Sequence, residues 1–278
     1  MNRFNKIALA TVMTLGIAGC SSQPAAAGST GTSEGNTTTE EKDHLTRIQE
    51  AGKIVVGLEG NWQPFSFHDE DDKLVGFDVE VATEVAKRIG VEAEFVEGAW
   101  DGLFTGLSTG VYDLVVNGVD VTEDRKATYD FTDPYAYDHT VLVVGTDNTE
   151  IKTFEDLEGK TTANSIGSTY MEIGEQYGAT VSGVDSLTET MTMVISGQVD
   201  ATINASTSVN DYLKTTGETR VKIVAESEDA TSYAMPLPKN AGNETLLEAI
   251  NKALAEMRED GTLAELSEKY FGADLTNE

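Results

Sequence analysis

From residue 44 onward, short apolar runs alternate with apolar residues spaced four apart. Lys53-Ile54-Val55-Val56-Gly57-Leu58 reads as a first strand. Phe77, Val81, Val85 and Ile89 then recur every four residues, with Glu80, Glu84, Lys87 and Arg88 between them, which predicts an amphipathic helix. Val91–Val96 alternates as a strand, Leu103, Phe104 and Leu107 mark a short helix, and Leu114-Val115-Val116 is an apolar run of strand length. A second set of strands follows at Val141–Val144, Thr161–Asn164, Val199–Ile203 and Val221–Ala225. Thr153-Phe154-Glu155-Asp156 resembles a capping box, the small residues Ile166–Tyr170 open a helix, and Ser186-Leu187-Thr188-Glu189 caps another. Leu247, Ile250, Leu254 and Met257 predict a last long helix, and Leu263, Leu266 and Tyr270 a shorter one. Strands alternating with helices in this way predict an α/β fold with right-handed crossovers. No internal repeat of solenoid length is visible.

The stretch Asn117–Tyr135, NGVDVTEDRKATYDFTDPY, organises the rest. It leaves the Leu114 strand through Asn117-Gly118, and strand ends of α/β sheets are where ligand crevices lie. Thr122 suits a helix N-cap, and Glu123 and Asp124 in the first turn suit the helix dipole. Arg125 suits it badly, since a cation is disfavoured there, and a guanidinium in that place is best explained by an anion facing it. A solvated surface arginine is the alternative.

The sequence has 278 residues, enough for two lobes. A formal net charge of -29 argues against nucleic acid as a partner, because phosphate binding needs clustered Lys and Arg. Arg3 and Lys6 precede a short apolar run, Ile7–Ile17, that ends at Ile17-Ala18-Gly19-Cys20, the one cysteine of the chain. This resembles the lipobox of bacterial lipoproteins, which implies cleavage before Cys20 and lipidation of its thiol. An ordinary signal peptide with a chance cysteine is the alternative. Residues 1–20 are thus expected to be a signal peptide and residues 21–43 a flexible tether, since Ser21–Thr39 is rich in Ser, Gly, Thr and Ala. The expected location is outside the cytoplasmic membrane, at the cell surface or in the periplasm, held by lipid.

No catalytic set assembles. The three histidines, His44, His68 and His139, are scattered, and no metal, nucleophile or phosphate-loop motif occurs. A recognition site does assemble. Trp62 and Trp100, the only tryptophans, fall just beyond strands, where they either pack or offer a stacking face to a ligand. Arg125 offers a planar fork for a carboxylate. Ser168 and Thr169, at a helix start after Gly167, offer hydroxyls and free backbone N–H groups to the same anion. A small zwitterion would use all of these groups.

From about Ile54 to Phe271 the chain resembles the solute-binding proteins of polar amino-acid ABC importers, the two-lobe periplasmic-binding-protein type. The resemblance is carried by Val56-Gly57 with Trp62-Gln63-Pro64-Phe65, Leu74–Val79, Trp100-Asp101-Gly102-Leu103 and Asn117–Arg125 with Phe131–Tyr135. Asp156–Lys160, Asp260–Leu263 and Lys269–Gly272 complete it. It implies an α/β fold of two lobes joined by a two-strand hinge: His44–Ala136 plus Ser232–Glu278 as one lobe, and Val141–Ala230 as the inserted one. It implies a monomer that closes on a free amino acid and delivers it to an ABC permease and its ATPase, with no chemistry, cofactor or metal. It implies that Arg125 grips the ligand carboxylate with Gly167, Ser168 and Thr169, and that Trp62 and Trp100 wall the side chain. The sequence departs from the pattern twice: Asp120 stands where Ser or Thr is usual, and Ala205 stands where an acid should follow Asn204. The ammonium partner is therefore expected to have moved to Asp120, with Glu59, Asn117, Gly118 and Asn204 completing the site. A ligand other than an ordinary α-amino acid is the alternative. So are a dehydratase-like or cell-wall lytic enzyme on the same fold, working through Glu59 or Asp120, and an adhesive surface protein.

Overall fold

The computed structural model describes residues 43–240 and 242–277. The expected signal peptide, Cys20 and the tether up to residue 42 lie outside the described residues. Asp43 caps the first helix, His44–Ala51, by accepting the Thr46 N–H at 3.0 Å. His44 ties that helix down, with Nε2 2.7 Å from Asp113 Oδ1.

The first sheet holds three parallel strands in the order Glu92–Glu97, Lys53–Leu58, Leu114–Val115. Helix Phe77–Ile89 lies on it and buries Phe77, Val81, Val85 and Ile89, the four-residue stripe visible in the sequence. Lys87 and Arg88 in its last turn and Gly90 at φ 88° after it close the helix by charge and left-handed backbone. The two C-terminal helices, Glu244–Glu259 and Thr262–Phe271, return to this core. The first of them buries Leu246, Ile250, Ala253, Leu254 and Met257, so Leu246 leads the stripe and Leu247 is only half-buried.

The second sheet has five strands in the order Thr180–Val184, Thr161–Ser165, Ala201–Ala205, Thr140–Gly145, Val221–Glu226. Its first two pairings are parallel, and Thr140–Gly145 runs antiparallel to both of its neighbours. That strand is buried on both faces because side chains alternate: Val141 and Val143 meet Met191, Val194 and Val209, while Leu142 and Val144 meet Ile151, Leu157 and Ile203. The Thr153–Asp156 capping box is present on a single 3-10 turn, Phe154–Leu157. Helix Ser206–Thr216, which the apolar pattern does not announce, buries only Ser208 and Val209.

Two antiparallel ladders join the sheets. Ala136–Asp138 pairs with Thr231–Tyr233, and Tyr129–Phe131 with Pro236–Pro238. The chain enters the second sheet through the first of these strands and leaves it through the partner. Buried Asp138 braces this crossing by accepting from the His139 N–H at 2.8 Å and the Thr207 hydroxyl at 2.6 Å. Among the described residues no helix is long and apolar enough to cross a membrane.

Candidate ligand cleft

A cavity opens where strand ends of the two sheets face each other. From the first sheet come Glu59, just past Leu58, and Asn117-Gly118, just past the Leu114 strand. Ser165 ends one strand of the second sheet, Asp185 follows Val184, and Asn204 sits near the end of a third. Both sets lie at carboxyl ends, where α/β sheets leave crevices.

The first side is fixed by hydrogen bonds. Asn117 is fully buried; its Oδ1 accepts from the Glu59 N–H at 2.9 Å and its Nδ2 donates to Glu59 Oε2 at 2.8 Å, which aims the carboxylate. Burial, and secondarily Asp185 from across the cleft, raises the Glu59 pKa to about 7 against the pull of Asn117. Gly118 has φ 48°, and its N–H donates to Asp78 Oδ2 at 2.7 Å. A Cβ there would lie 2.5 Å from the Trp62 ring, so only glycine lets backbone and indole meet. Trp62 stacks on Phe65 at 4.3 Å and 13°, so its ring is both a wall and part of the core. Trp100 begins helix Trp100–Ser108, half-buried, with its ring edge-on to Phe104.

The second side is a helix start. Ser168 caps helix Thr169–Gln176: its hydroxyl accepts from the Met171 N–H at 3.1 Å and donates to the Ser165 carbonyl at 2.7 Å. That hydroxyl is therefore engaged, and the first-turn N–H groups, which have no intrahelical acceptor, are what this turn offers an anion. The Thr169 hydroxyl reaches across the cleft and donates to Asp120 Oδ2. Asp120 lines the cavity at 6% exposure, with Oδ1 buried and without a partner among the described residues. Burial raises its pKa to about 6, opposed by Thr169 and Arg125.

Of the residues singled out from sequence, Glu59, Trp62, Trp100, Asn117, Gly118, Asp120, Ser168, Thr169 and Asn204 line this one cavity. Arg125 and Gly167 stand just behind the lining. The Arg125 guanidinium lies 5.3 and 5.2 Å from the Trp100 and Phe104 ring centroids, and it donates to the Asp120 carbonyl at 3.1 Å and the Gly167 carbonyl at 3.4 Å. Its Nη1 is 3.7 Å from Asp120 Oδ2, so the guanidinium faces an anion, supplied by the protein itself. Thr122 caps its helix as expected, accepting from the Arg125 N–H. Ala205 is fully buried and outside the lining, and Asn204 Oδ1 accepts from the Ala205 N–H at 2.9 Å. Sequence reasoning missed Asn61, Ser165, Tyr170, Asp185, Ser186 and Leu187, which also line the cavity. Position at a strand end was the signal for Ser165. Among the described residues, no group of three or more His, Cys, Asp or Glu is placed to hold a metal ion.

The sequence profile of the bacterial extracellular solute-binding proteins, family 3, matches residues 54–273. The L-cystine-binding protein TcyA of Bacillus subtilis is 40% identical over 272 residues, covering 98% of this chain and 99% of that protein. An ancestral arginine-binding protein bound to arginine superposes with a TM-score of 0.74 at 39% identity, over 80% of this chain and 99% of that one. The L-cystine solute receptor of Neisseria gonorrhoeae, unliganded and open, is 38% identical with a TM-score of 0.57, over 84% of this chain and 98% of that one. At nearly equal identity the closer superposition is on the arginine-bound form. This agrees with the Thr169–Asp120 contact that spans the cleft.

Proposed function

Because this chain belongs to the bacterial extracellular solute-binding proteins of family 3, we propose that it captures a polar amino acid outside the cell and delivers it to an ABC permease and its ATPase. The cavity is the ligand site. Arg125 and Thr169 hold the ligand's α-carboxylate, Asp120 takes the ammonium in place of the acid missing at Ala205, and Trp62 and Trp100 wall the side chain. The protein works as a monomer tethered by lipid on Cys20 at the outer side of the cytoplasmic membrane, and leaves its ligand chemically unchanged.

The charge of the lining carries this reading. Among the described residues it contains three carboxylates, Glu59, Asp120 and Asp185, and no Lys, Arg or His. A buried charge needs a partner, so the cleft suits a ligand with two cationic groups, one for Asp120 and one for the Glu59–Asp185 end. L-Cystine, with two ammonium groups and an apolar disulfide to pack against the indoles, meets this requirement, and TcyA and the Neisseria receptor are named as cystine binders. L-Arginine also carries two cationic groups, with one carboxylate where L-cystine has two. A thermal-shift screen across amino acids tests the reading. A ligand at 100 times its Kd adds about 2.7 kcal/mol of stability. We expect L-cystine or L-arginine to raise the melting temperature and L-glutamate to leave it unchanged; a flat response to every amino acid would contradict the assignment.

One observation favours a second reading. A carboxyl with a pKa near 7, such as Glu59, is what general acid–base catalysis requires. Mass spectrometry of ligand incubated with the protein separates the two: unchanged ligand supports transport, and a product supports an enzyme.

A further inference from the structure

Asp120 Oδ2 accepts from the Thr169 hydroxyl on one side and faces Arg125 Nη1 at 3.7 Å on the other. It also sits at the N-terminal end of helix Thr169–Gln176, where an anion is favoured by free N–H groups and the helix dipole. A guanidinium, a threonine hydroxyl and a helix start are the parts of a carboxylate grip, and here they converge on a carboxylate of the protein. The other oxygen, Oδ1, is buried with no partner among the described residues although Asp120 lines the cavity. Arg125 itself is fixed against the Trp100 and Phe104 rings and by two backbone carbonyls, so the grip does not depend on the Asp120 side chain for its shape.

We propose that Asp120 is an internal stand-in for the ligand's carboxylate, and that an amino acid binds by exchange. This rests on the reading of the cleft as an amino-acid site. The ligand's carboxylate takes the place of Oδ2 between Arg125 and Thr169, and the displaced Asp120 pairs with the ligand's ammonium. An α-amino acid carries both groups on one carbon, so the side chain that gives up the grip finds its new partner beside it. A carboxylic acid without the ammonium would push a buried carboxylate into a cavity that already holds Glu59 and Asp185. Two like charges would then face each other with no cation between them, at a cost of several kcal/mol. Asp120 is thus the residue that makes the ammonium obligatory.

Calorimetry at pH 7.5 tests this with two probe pairs: L-cystine against 3,3′-dithiodipropionate, and L-arginine against 5-guanidinopentanoate. Wild type should bind the amino acid of at least one pair and reject its des-amino analogue by about a thousandfold or more. In Asp120→Asn the amino acid should weaken, the analogue should bind more tightly than it does to wild type, and their ratio should fall at least about thirtyfold. Thr169→Val removes the same hydroxyl from Asp120 in the free protein and from the ligand's carboxylate in the complex, so it should keep the wild-type ratio. Near-ultraviolet circular dichroism confirms that each variant is folded; should Asp120→Asn fail, Asp120→Ser replaces it. A wild-type protein that binds an amino acid, with a ratio within threefold of wild type in Asp120→Asn, would overturn the exchange alone. Failure of wild type to bind either amino acid would overturn the site reading and the exchange with it.

Discussion

Replacing Arg125 with Met should cost binding far more than stability. In the proposed ligand complex the guanidinium fork would make two charge-assisted hydrogen bonds to the carboxylate, each contributing about 1.5–2.5 kcal/mol, or about 3–5 together. Before binding, the same guanidinium has a 3.7 Å contact with Asp120 Oδ2, a contribution of about 1 kcal/mol that the variant also lacks. The difference, about 2–4 kcal/mol, corresponds to a thirtyfold to thousandfold loss of affinity. The fold should survive because a methionine can lie against the Trp100 and Phe104 rings and sulfur packs well against aromatic rings. Arg125→Lys keeps the charge without the fork and should lose about tenfold. The assay is calorimetric titration at pH 7.5 with the amino acid that stabilises wild type, with melting temperatures as the control for folding. An affinity for Arg125→Met within threefold of wild type would refute the carboxylate grip.

Ligand titration should change the fluorescence of both tryptophans, and Trp100→Ala should weaken binding by about 1–3 kcal/mol with little loss of stability. Trp62→Ala should lower both, because that ring stacks on Phe65 inside the core; normal binding by both variants would reduce the tryptophans to packing residues. Thermal stability should rise as pH falls from 8 to 5.5. Burial raises the folded-state pKa of Asp78 to about 7, of Glu59 to about 7 and of Asp138 to about 6, and the bond to Asp113 raises that of His44. Groups whose pKa is raised on folding bind more protons in the native state, so the stability they confer is full below the unfolded pKa and is lost as pH rises through the folded one. A melting temperature that climbs from pH 5.5 to 8 would contradict this. Cys20→Ser should release the protein from the membrane fraction of cells and leave ligand affinity unchanged; unchanged partition would remove the lipid anchor.

Much of the fold was legible because local signals agreed with tertiary ones. Helix Phe77–Ile89 has its stripe, its charge bias and its terminal glycine in sequence, and the Ser168 and Ser186 caps follow from residue type and spacing. Helix Ser206–Thr216 was missed because its polar sequence offers one buried valine and no stripe. The joining ladders were missed as strands because three residues are too few to show a period of two. The apolar spacing points to Leu247 as the leading core residue because Leu246 beside it has the same chemistry, and only the helix phase separates them. At the site, Arg125 was conspicuous through a misfit with the helix dipole. Asp185 and Tyr170 were not, since nothing in their neighbours marks them. The Asp120–Thr169 contact joins residues 49 apart in sequence on opposite sides of the cleft, and no local pattern carries it.

The central claim is that the acid-lined cavity between the tryptophans holds one amino acid with two cationic groups. Isothermal titration of the wild-type protein at pH 7.5 with L-cystine, and separately with L-arginine, tests it most directly. We expect saturable binding at one ligand per chain for at least one of them, with L-glutamate unable to compete. No saturable heat from either, on protein shown to be folded, or equal binding of L-glutamate, would contradict it.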